Sequence, residues 1–187
     1  MNRIGLSASG AIVADLFRQS AGQMISALTR IFGARHLDLA EDCVQDAMIR
    51  ALENWPFRGV PENPRAWLIQ AAKNKALDLM RRGRLPEVHA SEIERALHGA
   101  RTDGGEPTID DQLAMMLLCC DPALTRESQV ALTLKTVGGF GVREIARAFL
   151  ADESAVAQRL VRAKRKLVES QAAFDLDASL SNPGERL

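Results

Sequence analysis

Apolar residues in the first part of the chain recur at helical intervals. Ile12, Val13, Leu16, Phe17, Met24, Leu28, Ile31 and Phe32 predict a long helix over 11–32, with Gly33 as its stop. Leu37, Ala40, Val44, Ala47, Met48, Ala51 and Leu52 predict a second helix over 37–54, ended by Trp55-Pro56. Three prolines and a glycine make 56–64 a loop. Asn63 then caps a third helix that Pro64 opens, carrying Trp67, Leu68, Ala71, Ala72 and Leu79 to Arg82. The periodicity fades over 85–107, which reads as a linker with a short helix around 91–97.

A second group of helices follows. Thr108 caps one that Asp121-Pro122 breaks, and Thr125 caps the next, which runs to the turn at 137–141. Two more are expected over 142–150 and 153–170, and the residues after Gln171 read as a tail. The chain therefore divides into a module over 8–85, a linker over 86–107, a second module over 108–170 and a tail over 171–187.

Composition supports helices throughout. Apolar residues make up 47% and charged residues 26%, which excludes a disordered chain. Aromatics are only 4% and Tyr is absent, whereas strands favour β-branched and aromatic residues. An all-α fold is expected. No apolar run reaches the roughly 18 residues of a membrane span, and the N-terminus lacks the pattern of a secretory signal, so a cytoplasmic protein without membrane contact is expected.

Twenty-four basic and twenty-four acidic side chains cancel, but they are segregated. The helix over 37–54 carries five acids against Arg50 alone, the stretch 58–84 carries seven bases against two acids, and 154–168 carries five bases and no acid. A basic helix is most often a solvated face. Here, however, 142–150, a short turn and 154–160 have the pattern of a helix-turn-helix, with Ile145, Ala146, Phe149, Val156 and Leu160 as its shared core. Ser154, Gln158, Arg159 and Arg162 would then face outward, where Arg can bond guanine, Gln can bond adenine and a helix N-terminus can hold a phosphate. An ordinary αα-hairpin with a basic surface is the structural alternative.

Catalytic chemistry is not advertised. Cys43, Cys119 and Cys120 form neither a disulfide framework nor spaced zinc-ligand pairs, and they read as reduced, buried thiols. His36, His89 and His98 lack metal-site spacing, and no Gly-rich phosphate loop precedes a helix. Cys43 sits beside Asp42, which would raise its pKa rather than activate it. No enzyme activity, metal or cofactor is expected.

Three stretches taken together resemble one family. Ala40-Glu41-Asp42-Cys43-Val44-Gln45-Asp46-Ala47, the helix from Pro64 to Arg82 with Trp67-Leu68 and Asp78, and the final helix-turn-helix from Glu144 to Leu167 resemble the sigma factors of bacterial RNA polymerase of the extracytoplasmic-function group. Leu118-Cys119-Cys120-Asp121-Pro122-Ala123-Leu124 and the stretch from Val130 to Gly139 resemble, more narrowly, the subgroup that continues into a tetratricopeptide-like C-terminal extension.

The resemblance implies bacterial RNA polymerase core and promoter DNA as partners, with an anti-sigma protein or a C-terminal regulatory extension as regulator. Asp42, Gln45 and Asp46 would contact core polymerase. Phe57, Arg58 and Asn63 would wall a pocket for a flipped base of the upstream element, and Lys73, Asn74, Arg81 and Arg82 would follow the melted strand. Asp78 would orient one of those bases by pairing with Arg81. Trp67, at the head of an apolar stripe, reads as core rather than as a stacking wedge. Ser154, Gln158, Arg159 and Arg162 would lie near the bases or flanking phosphates of the distal element, with Arg165 and Lys166 on its backbone. The rival reading is a helix-turn-helix regulator that acts without polymerase.

Overall fold

The computed structural model describes residues 20–82 and 109–170. The expected start of the first helix, the linker, the Thr108 cap and the tail lie outside the described residues. Those residues form helices and turns with no strand among them. In chain order they are α1 (20–32), a 3-10 turn over Ala34–His36, α2 (Leu37–Arg58), α3 (Pro64–Arg81), α4 (Ile109–Cys119), α5 (Arg126–Thr136), α6 (Val142–Phe149) and α7 (Glu153–Glu169).

Helix α1 is buried almost all round, through Met24, Leu28 and Ile31 and also through Ser26 and Thr29. A helix enclosed on every side must satisfy its polar groups internally. Ser26 donates to the Gly22 carbonyl at 2.7 Å and Thr29 to the Ile25 carbonyl at 2.8 Å. Gly33, at φ 86°, then turns the chain into α2.

Helix α2 differs from expectation at its C-terminus. It continues through Pro56 to Arg58, and the following loop shrinks to 59–63. Proline removes one backbone donor, and here the carbonyl left behind is that of Leu52, an exposed residue that water can reach. Two contacts hold the last turn helical: Trp55 is buried, and Gly59, at φ 81°, donates its N–H to the Trp55 carbonyl at 3.0 Å. At the other side of the loop the cap forms as expected, with the Asn63 side chain accepting from the Ala66 N–H at 3.0 Å.

Helices α2 and α3 pack through small residues, since Ala40, Ala51, Ala72 and Ala76 are completely buried. Polar groups join the same pair. Asp46 on α2 accepts from Arg50 at 2.6 Å on its own helix and from Lys75 across on α3.

In the second module the turn between α4 and α5 is held by Asp121, whose carboxylate accepts from the Ala123 N–H at 2.9 Å, and by Gln129, which donates to the carbonyls of Cys120 and Asp121. Thr125 caps α5 by accepting from the Ser128 N–H. Helices α6 and α7 form the expected helix-turn-helix, with Ile145, Ala146, Val156 and Leu160 buried between them. Leu150, at φ 50° and exposed, makes the turn where glycine is usual.

The Asp46 carboxylate is where α2 and α3 are most sensitive to charge. Burial alone would raise its pKa, but the hydrogen bonds from Lys75 and Arg50 outweigh burial and hold it below its ordinary value. A carboxyl with a lowered folded pKa adds stability above its unfolded pKa, and that stability is lost as pH falls through the folded value. Asp46→Asn is therefore expected to lower the unfolding free energy at neutral pH by about 1 kcal/mol. In urea titrations the gap between the two proteins should close as pH falls below the ordinary Asp value of 3.8.

Candidate functional site

Three surfaces carry the residues singled out in the sequence. The first is the N-terminal half of α2. Asp42 and Gln45 are exposed there, as a contact surface requires. Asp46 is half-buried and spent on Arg50 and Lys75, so its carboxylate is structural rather than free for a partner.

The second surface is a cavity of about 440 Å³ where the C-terminal end of α2, the loop and α3 meet. Trp55 and Trp67 form its apolar wall, edge to face with ring centroids 5.5 Å apart and planes at 64°. Arg50, Asn54, Arg58, Gln70 and Asn74 supply its polar rim, and Gln70 donates to Asn74 at 3.0 Å. The Trp55 indole N–H is buried without a hydrogen-bond partner. The cavity can take a flat, partly apolar group between indole and guanidinium, with amides to bond its edge.

The expected pocket residues divide. Arg58 and Asn74 line the cavity. Phe57 does not, and with 81% of its surface exposed it points away from both core and cavity. Asn63 does not either, because its side chain is the helix cap. Lys73 is 6% exposed on the inner side of α3, so it is not displayed for a strand. Burial, followed by the nearby Arg30 charge, lowers its pKa. Arg81 and Arg82 are exposed at the end of α3, and Asp78 pairs with Arg82 at 2.9 Å rather than with Arg81.

Trp55, Asn54 and Gln70 were not singled out. Trp55 was read only as the residue before a helix-stopping proline, and Trp67 as core. Two tryptophans flanking one proline-rich loop were the signal that could have found the site.

The third surface is α7. Ser154, Gln158, Arg162, Arg165 and Lys166 are exposed on it. Arg159 is half-buried, its guanidinium 5.8 Å from the centroid of the Phe149 ring on α6, a contact that restricts where it can point. Arg165 pairs with Glu169 at 2.7 Å within the helix. Arg159, Arg162 and Lys166 also border a recess of about 360 Å³ closed by Thr125 and Ser128 at the start of α5. Three cations and a helix N-terminus suit an anionic oxygen there.

Residues 16–85 match the family Sigma-70 region 2, and residues 114–167 match the family Sigma-70, region 4. With the two regions in this order on helical modules, the chain belongs to the sigma-70 family, in an arrangement like that of the extracytoplasmic-function type. It is 42% identical over 159 residues to an uncharacterized protein of Rhizobium meliloti (strain 1021), an alignment that covers 82% of this chain and 37% of the relative. The chain thus spans little more than a third of that relative's length. No solved structure matches it. The two family matches fall on the sigma regions alone and carry no support for a tetratricopeptide-like extension. Among the described residues no helix is long and apolar enough to cross a membrane.

The cysteines lie apart from these surfaces chemically. Burial, then Asp42 and Asp46, pushes the Cys43 thiol up to about 12, and burial pushes Cys119 up to about 11 against its bond with Thr136. Iodoacetamide at pH 8 is expected to modify the half-exposed Cys120 first and to reach Cys43 and Cys119 only after unfolding. Peptide mapping by mass spectrometry before and after urea checks the order.

Proposed function

We propose that the chain is a promoter-specificity subunit: it docks on bacterial RNA polymerase core through α2, receives an unpaired base of the upstream element in the Trp55–Trp67 cavity, and reads the distal element as duplex with α7. The polymerase supplies the chemistry, and this chain, acting in the cytoplasm, supplies the address. The observation that carries the reading is the indole-walled cavity and the outward cationic helix on one chain whose segments match region 2 and region 4 in order.

The division of labour follows from chemistry. Exposed Asp42 and Gln45 suit a basic partner surface and would speed its approach. Unstacking a base costs a few kcal/mol, and stacking on an aromatic wall returns roughly 1–3 kcal/mol of it. Arg58 and Asn74 at the rim, with Arg81 and Arg82 further along α3, would hold the strand by its phosphates. On α7, Gln158 and Arg162 would face base edges, while Ser154, Arg165 and Lys166 would lie near backbone. An anti-sigma partner would compete for the acidic face of α2.

Mixing the purified chain with core polymerase lacking any sigma factor is expected to give a stoichiometric complex on size exclusion. Tight binding of promoter duplex by the chain alone, without such a complex, would favour the stand-alone regulator. Arg159→Glu with Arg162→Glu is expected to abolish binding to distal-element duplex in fluorescence anisotropy while leaving the polymerase complex intact. Trp67→Ala is expected to weaken binding of a single-stranded upstream-element oligonucleotide to the polymerase complex about tenfold, with duplex binding unchanged.

A further inference from the structure

Helix α7 touches more than its own module. Lys164 extends its ammonium to α2, 2.6 Å from Asp38 Oδ1 and 2.7 Å from Glu41 Oε2, and its side chain is only 14% exposed. The second oxygen of Glu41 is buried without a hydrogen-bond partner. Burial alone would lower the Lys164 pKa, yet Glu41 and Asp38 hold it above its usual value, so the ammonium keeps its charge. Beside it, Glu41, Asp42 and Gln45 of α2 face Lys135 and Gly139 of the second module across a recess of about 190 Å³. Two lysines of the second module therefore sit where a basic partner of α2 would sit.

The backbones meet as well. A Cβ on Gly22 of α1 would lie 2.1 Å from the Val137 carbonyl oxygen at the end of α5, so the approach is possible only with glycine. Arg30 of α1 pairs with Asp111 of α4 at 2.8 Å.

We propose that in the free chain the second module is a built-in competitor for the acidic face of α2, held there by Lys164, and that this latch opens before the face accepts a basic partner surface. The identity of that partner as polymerase core rests on the reading above. Bridging ion pairs suit a latch because opening it returns Asp38, Glu41 and Lys164 to water instead of leaving a charge buried alone. The outward row Gln158, Arg162 and Arg165 takes no part in these contacts, so closure gates docking on polymerase and leaves the duplex-reading face open.

Carbodiimide, which joins an amine to a carboxylate only in contact, tests this on the full chain. Mass spectrometry is expected to find Lys164 linked to Glu41 or Asp38 in the free chain, with a yield that falls at least fivefold when core polymerase is saturating. The link between Lys75 and Asp46, within the first module, should keep its yield. Lys164→Gln, and separately Gly22→Ala with every charge retained, are expected to raise the association rate with core several-fold in stopped flow. A Lys164 link that persists undiminished in the polymerase complex overturns the latch and leaves the sigma reading standing. So do association rates for both variants equal to that of the parent. Absence of any complex between the parent chain and core defeats the polymerase reading, and the latch with it.

Discussion

Helices α2 and α3 pack with alanines completely buried on each, and the two surfaces of the first module depend on that packing. Ala40, Ala51, Ala72 and Ala76 leave no exposed surface, and longer side chains there would drive the helices apart. Close approach lets Lys75 reach Asp46 near one end of the pair and sets the Trp55 ring against Trp67 near the other. The cavity lies along this pair, from Arg50 and Asn74 to the loop, where Gly59 redirects the chain and Val60 and Pro61 complete the lining.

Helix α7 meets a different constraint, since three demands fall on one helix with 3.6 residues per turn. Val156, Leu160, Ala163 and Leu167 form the buried stripe. Gln158, Arg162 and Arg165 lie on exposed faces, and Lys164, next to the buried stripe, reaches sideways to α2. Of the five cations between 154 and 168, Lys164, with its side chain only 14% exposed, is the one that leaves the module. The Phe149 ring further separates Arg159 from its neighbours by giving its guanidinium a fixed resting place.

Features that depend on a few adjacent residues were legible in the sequence. The Asn63-Pro64 and Thr125 caps, the turn over 137–141 and the helix-turn-helix all formed as read. So did the segregation of charge into an acidic α2 and basic faces on α3 and α7. Pro56 misled because local rules end a helix at proline, whereas burial of Trp55 and the Gly59 cap outweigh one lost donor. Lys73 and Asp46 misled for a related reason: in a list of charges Lys73 looks like Arg81 and Asp46 like Asp42, and only the packing of each helix on its neighbours decides which are enclosed. Lys164 was least legible, because its partners lie 123 and 126 residues away in the chain.

The length of α2 has a consequence of its own. Its 22 residues run unbroken from Leu37 to Arg58, and between the acidic turn at Asp42 and the indole at Trp55 the axis rises roughly 20 Å at 1.5 Å per residue. With glycines at positive φ just before and just after it, the adjustable joints lie near its ends and not along its length. The helix is therefore a ruler. Whatever grips its acidic end inherits a fixed offset and rotation to the cavity, so a strand passing the gripping surface can enter the cavity at one phase only, and a single residue inserted between the two would turn that phase by about 100°.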